Sequence, residues 1–134
     1  MEKSFFTYRF EKLEVYQLAR RYRVEIKKLC LTFPADEKFE LISQIRPSSS
    51  SIATNLAEGS GRSTGNDQAY FSNIAYSSAL ETIDHLIYAF DMEYISMEVY
   101  SDLRVKLDEI INKLNSIYKY QINRSESLKD KLKK

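Results

Sequence analysis

Apolar side chains recur at steps of three and four along separate stretches of the chain, which is the period of one face of an α-helix. Between Leu13 and Phe33 the row is Val15, Ala19, Tyr22, Ile26, Leu29 and Phe33. From Phe39 to Arg62 it is Leu41, Ile45, Ser48 with Ser49, Ile52 and Leu56, with serine in the middle where leucine would be ordinary. Near the other end Tyr100, Leu103, Leu107, Ile110, Leu114 and Ile117 repeat the alternation. The pattern predicts helices over about 13–33, 36–58, 66–91 and 96–120. Asp36 and Glu37 stand where a helix start favours negative charge, and Asn66 is a good N-cap. Short connections make consecutive helices antiparallel neighbours. The expected fold class is therefore all-α: an antiparallel up-down-up-down four-helix bundle in one domain over residues 1–120, followed by a polar, lysine-rich tail over 121–134.

The second stretch carries the most punctuation. Pro47 lacks an N–H and clashes with the preceding turn, so a kink is expected there, with the hydroxyls of Ser48 to Ser51 or water on the freed carbonyl. Small residues on this packing face let two backbones approach closely. Gly59 and Gly61 are natural places for the left-handed conformation that ends a helix. Gly-Ser-Gly is not followed by the Lys-Ser/Thr of a phosphate loop, nor preceded by a strand. A helix-stopping turn is the better reading.

The third helix carries two apolar rows. Ala75, Ser78, Thr82, Leu86 and Ala89 are small enough to face the close-packed second helix. Tyr76, Leu80, Ile83, Ile87, Phe90 and Tyr94 are large. Left in water, this second row would be a patch of the kind that marks an interface between copies. The competing reading is a wide core-facing arc within one chain.

The composition, 43% hydrophobic and 29% charged with three Gly and two Pro, suits a helical globular domain. A formal net charge of +1 conceals a strong asymmetry. Residues 1–33 sum to +4, residues 34–62 to −1, residues 63–99 to −6 with no Lys or Arg, and residues 100–134 to +4. In an up-down-up-down square the first and fourth helices are neighbours, so their basic faces are expected to merge. Arg20, Arg23 and Lys27 run along one flank of the first helix, with Arg21 and Lys28 on the other side. Such a patch attracts nucleic-acid backbones. Against it stands a merely solvated face, because Glu25, Asp108 and Glu109 interrupt the cations. Lys129, Lys131, Lys133 and Lys134 read as a solubilising tail.

Catalytic chemistry finds little support. A single histidine, His85, leaves no partner for a His-based metal site or triad within one chain. One cysteine, Cys30, excludes an internal disulfide framework and reads as a buried thiol. No acid–base pair, nucleophile or metal cluster can be assembled, so neither an enzyme nor a cofactor is expected. No apolar run approaches a membrane span, and residues 1–30 lack a secretory pattern, so the expected location is the cytoplasm with no membrane partner. Gln44, Arg46, Asn55, Glu58 and Glu81 lie on the core-building helices. They are read as a buried hydrogen-bonded network that holds helix register, with a functional groove as the alternative.

Several of these residues also carry a resemblance. Phe10, Leu13, Val15, Tyr16, Gln17 and Ala19 fit F-x-x-L-x-V-[YW]-Q-x-A, and Phe33-Pro34 with Glu37 fits F-P-x-x-E. Gln44-Ile45-Arg46, Ser51-Ile52, and Asn55-Leu56-Ala57-Glu58-Gly59 with Gly61-Arg62 fit Q-I-R, S-I and N-[IL]-A-E-G-x-G-R. Ile74-Ala75, Ser78 and Glu81 fit I-A-x-G-S-x-x-E, and Tyr94-Ile95 fits a closing Y-[IL]. Over about residues 10–120 the chain resembles the four-helix bundle protein family, also called the 23S rRNA-intervening sequence protein family. That family is similar to the accessory variability protein of diversity-generating retroelements. Pro47 departs from it where a second basic residue is more usual, and Ser77 where glycine is usual. The resemblance implies a closed homopentameric ring. It also implies a non-enzymatic accessory that meets RNA or DNA, or a reverse transcriptase, through basic helix surface. A structural or protein-interaction module with no nucleic-acid role is the other reading.

Overall fold

A computed structural model describes residues 3–124 of the chain. It is built on four long helices: α1 (Glu14–Cys30), α2 (Leu41–Ser60), α3 (Gly65–Asp91) and α4 (Met97–Ile122). Short 3₁₀ turns occupy Arg9–Lys12 and Ala35–Glu37, and there is no strand among the described residues. α2 lies against both α1 and α3, α3 packs on α4, and α1 meets α4 along a narrower seam. α4 runs a turn or less into the expected tail, and residues 125–134, with Lys129, Lys131, Lys133 and Lys134, lie outside the described residues.

The helical rows become the core. Val15, Ala19, Tyr22 and Ile26 of α1 are buried, as are Leu41, Ile45, Ile52 and Leu56 of α2 and Leu103, Leu107, Ile110 and Leu114 of α4. From α3 the buried residues are mostly small: Ala69, Ala75, Ala79, Thr82, Leu86 and Ala89. Small side chains let α3 approach α2 closely, and glycine completes the approach. A Cβ on Gly59 would lie 2.7 Å from the Cβ of Phe71, and one on Gly65 would run into the backbone carbonyls of Gln121 and Arg124.

Several helix ends differ from the sequence expectation. The N-cap of α3 is Thr64, whose hydroxyl accepts from the Asp67 N–H at 3.1 Å, so the helix starts before Asn66. α2 starts at Leu41 rather than near Asp36, because the Ala35–Glu37 turn breaks the run. The Glu37 carboxylate nevertheless reaches that start, accepting from the Leu41 N–H at 3.4 Å. Neither Gly59 nor Gly61 is left-handed; among the described residues positive φ falls on Glu93, at 61°. Glu93 closes α3: its N–H bonds to Phe90 O and the Tyr94 N–H to Ala89 O, both at 2.9 Å, the two bonds of a Schellman end.

Pro47 does not interrupt α2. The Ser48 and Ser49 hydroxyls donate to the carbonyls of Ile45 and Arg46, each at 3.1 Å, and not to Ser43, whose carbonyl the proline leaves unpaired. Ser43 and Pro47 both lie on the exposed side of α2. The missing bond therefore falls on the solvent side of the helix, where it costs less than in the core.

Candidate functional site

The basic surface forms where α1 faces α2. Between the two helices runs an open groove whose charged walls are Arg23, Lys27 and Lys28 of α1, Lys38 of the connection and Arg46 of α2. Val24, Leu31, Ile42 and Pro47 line it with apolar surface. Leu31 is 83% exposed, an unusual degree for a leucine so close to five cations. Arg20 and Arg21 sit one to two turns nearer the start of α1, with Gln17 and Val24 around a second, smaller recess. None of these seven cations is in an ion pair among the described residues.

The seam between α1 and α4 behaves differently. Lys106 of α4 bonds to Glu25 of α1 at 2.8 Å and to Asp102 at 3.1 Å, and Lys113 bonds to Glu14 at 3.2 Å. Glu25 first, and then Asp102, hold the Lys106 ammonium above the usual lysine range. At this seam carboxylates of α1 neutralise two lysines of α4, where the sequence reading has the two basic faces merging. Arg23 and Lys27 of α1 line the groove on the α2 side, and Lys28 lines both that groove and a recess beside α4.

On α3 the large apolar row divides. Tyr76, Ile83, Phe90 and Tyr94 are half-buried against the core, with the Phe90 ring stacked on Tyr100 at 4.8 Å. Leu80 and Ile87 stay 45% and 39% exposed. Much of the row expected to serve copies of the chain is thus taken into this chain's own packing, and what remains outside is narrower and more acidic. Glu81, Asp84 and Asp91 share this exposed side with Leu80, Ile87 and Tyr88.

The expected polar network is not assembled from the residues proposed for it. Gln44, Arg46, Glu58 and Glu81 are exposed, and only Asn55 is half-buried. Arg46 is a wall of the groove. Long polar side chains at the flanks of a helix face reach water, and the groups that cannot reach it are short. Along the α2–α3 seam the Ser78 hydroxyl donates to Ser51 Oγ at 2.8 Å, and Asn55 Nδ2 donates to the same Ser51 Oγ and to its carbonyl, both at 2.8 Å. Ser48 Oγ and Thr82 Oγ1 lie 2.9 Å apart. A second polar cluster has no counterpart in the sequence expectation. The carboxylate of Glu37, only 4% exposed, accepts from the Tyr94 hydroxyl at 2.7 Å and the Tyr88 hydroxyl at 3.0 Å. The Tyr94 bond, with help from Tyr88 and the Leu41 N–H, lowers the pKa of Glu37 despite its burial. The same bond, followed by burial, pushes Tyr94 up to about 12. Three residues so far apart in sequence give no periodic signal.

Other candidates resolve simply. His85 is half-buried and sits 3.1 Å from Glu81 one turn away, as a helix-surface pair. Cys30 is buried, and burial raises its thiol pKa. No cluster of three or more His, Cys, Asp or Glu able to hold a metal occurs among the described residues. No helix among them is long and apolar enough to cross a membrane.

The sequence description of 23S rRNA-intervening sequence proteins matches residues 11–116, which takes in all of α1, α2 and α3 and most of α4. The chain belongs to this family. It is also similar to a crystal structure from Bacteroides thetaiotaomicron VPI-5482, of a protein with unknown function from the S23 ribosomal protein family. The two are 30% identical with a TM-score of 0.73, and the match covers 78% of this chain and 98% of that one. No curated protein matches. The family match ends before the C-terminal turn of α4, and it contains the whole of the α1–α2 groove.

Proposed function

We propose that this chain is a non-enzymatic, homo-oligomeric, up-down-up-down four-helix bundle whose α1 surface contacts nucleic-acid phosphates. The bundle order is supported by contacts that run in opposite sense along three of the four neighbouring pairs. Ser48 meets Thr82, Ser51 meets Ser78 and Gly59 meets Phe71. Ser72 meets Gln121 while Phe90 meets Tyr100, and Glu14 meets Lys113 while Glu25 meets Lys106.

One observation carries the nucleic-acid reading. Arg20, Arg21, Arg23, Lys27 and Lys28 form no ion pair among the described residues, although α4 shows that carboxylates capture lysines on this protein where geometry permits. Five cations within nine residues hold a counterion layer that a polyanion displaces, so binding of this kind is steeply salt-dependent and reads backbone rather than bases. Val24 is the single apolar residue around the recess of Arg20 and Arg21. It suits phosphate better than it suits a protein partner. The exposed Leu80 and Ile87 support self-association, for which the family resemblance implies five copies.

The test has two parts. Light scattering after size exclusion should report a mass several times 15.7 kDa. Retention on RNA and on DNA should fall steeply with salt, and Arg20→Glu with Arg21→Glu should lower the slope of log K against log salt by roughly 0.7–0.9 for each phosphate that is no longer neutralised. A chain that is not retained even at low salt overturns the phosphate reading and leaves a protein-interaction module.

A further inference from the structure

We infer that the acidic side of α3 on one copy docks into the basic groove between α1 and α2 on the next, so that the interface between copies joins two different faces of the chain. The inference rests on the homo-oligomeric reading above and specifies which surfaces meet.

The first observation is complementarity of charge. The segment from 63 to 99 holds six acids and no Lys or Arg, whereas the groove walls are five cations unpaired among the described residues. On the exposed side of α3, Asp84 and Asp91 lie on the same helical arc as Leu80 and Ile87, because residues three, four and seven apart share a face. In the groove, Lys38 and Arg46 flank Leu31 and Ile42. Each surface thus mixes apolar with charged side chains, and the charges are of opposite sign.

The second observation is that neither surface complements itself. Two α3 faces placed together would bring acids against acids, and two grooves would bring cations against cations. Like charges opposed across an interface cost affinity. A self-paired contact uses the same patch on both partners, whereas a contact between unlike patches closes into a ring when the rotation between copies permits. The dimensions agree as well. Leu80 to Asp91 covers about three helical turns, and the groove runs along about two turns of each of α1 and α2. In such an assembly Arg23, Lys27 and Lys28 line the contact between copies, and the surface left for phosphate narrows to Arg20 and Arg21 in their separate recess.

Charge reversal tests the inference with readouts that separate it from the reading beneath it. Lys38→Glu with Arg46→Glu takes the groove from five positive charges to a net of one without touching the α1 cations assigned to nucleic acid. Asp84→Lys with Asp91→Lys reverses α3. All four positions are exposed, so folding, checked by circular dichroism, is expected to persist. Each pair alone should weaken assembly, measured by sedimentation at low salt, at least roughly tenfold, and the chain with all four changes should reassemble to within about threefold of the original. A wild-type chain that sediments as a single 15.7 kDa particle overturns self-association and the inference together. A wild-type oligomer that ignores the groove pair, or that the fourfold variant fails to restore, overturns the inference alone.

Discussion

Ser48 Oγ and Thr82 Oγ1 lie 2.9 Å apart in the middle of the α2–α3 seam, both out of reach of water. Each hydroxyl also lies within bonding distance of a carbonyl of its own helix, Ile45 O at 3.1 Å and Ser78 O at 2.8 Å. Two hydroxyls have two protons for three contacts, so two orders bridge the seam: Ser48 donates to Thr82 and Thr82 to Ser78 O, or Thr82 donates to Ser48 and Ser48 to Ile45 O. Ser48→Ala removes one of the two hydroxyls and should cost about 1 kcal/mol, and Thr82→Val a similar amount. Because they share one bond, the double variant should cost less than the two singles together, by about 0.5 kcal/mol or more in urea titrations. Strict additivity would show that the contact contributes nothing.

Close approach is tested at the two glycines that follow. Gly59→Ala would place a methyl 2.7 Å from Phe71 Cβ, an atom that cannot swing aside. A net loss of about 1–3 kcal/mol is expected even though alanine favours a helix. At Gly61 the nearest atom to a new Cβ is Glu58 O at 3.5 Å, and φ is −83°. Gly61→Ala should therefore be neutral or stabilise by about 0.5 kcal/mol. Equal effects at the two positions in thermal melts would refute the close-packing account.

The Glu37 clasp predicts an acid limb to stability. The folded pKa of Glu37 lies below its ordinary value, so the contribution is complete above the unfolded pKa of about 4.3 and is lost as pH falls through the folded value. Glu37→Gln should melt lower at neutral pH and lose less on acidification than the parent does. At the alkaline end the sign reverses. Tyr94, raised to about 12, contributes below the unfolded pKa of about 10 and stops contributing as pH rises through 12. Parallel profiles of melting temperature against pH for the two proteins would sink this explanation.

Glu93 offers a stabilising change. A side chain at φ 61° is strained, and glycine is not. Glu93→Gly should raise stability by about 0.5–1 kcal/mol, after the added freedom of the unfolded chain is subtracted. Glu93→Ala keeps the Cβ and should show no such gain. If alanine matched glycine, the benefit would come from removing the carboxylate and not from backbone relief.

Surface ion pairs should matter little. Lys106 is 43% exposed, and its bonds to Glu25 and Asp102 cross a wet seam. Lys106→Ala is expected to cost under about 1 kcal/mol, with the difference shrinking further in high salt. A much larger loss, persisting at high salt, would mean that this seam is a determinant of the fold.

The rows that became the core were legible because burial on a helix repeats every three or four residues, and Val15, Ile45, Leu86 and Leu107 all obey that repeat. Thr64, two residues before the expected cap, was harder to read because Thr64 and Asn66 both have side chains suited to the role and only the backbone path selects one. The groove was half legible: Arg23, Lys27 and Lys28 stood out as a basic run on one helix. Lys38 and Arg46 did not, since nothing in their own sequence neighbourhood places them opposite α1. Arg46 looked like a candidate for a buried network, yet a long flexible side chain at the edge of a helix face reaches solvent instead.

By itself the sequence determined which faces of which segments would be apolar, that the acids concentrate between 63 and 99, and that the chain carries the family's motifs. Those are properties of spacing and composition, and they survive any arrangement of the helices. Which helix covers which face was decided only in three dimensions. Phe90 of α3 stacked on Tyr100 of α4, carboxylates of α1 turned to α4, and Glu37 met two tyrosines more than fifty residues away. Contacts between distant segments depend on how helices pack against one another, and a single strand of sequence records the period of a face but not its neighbour.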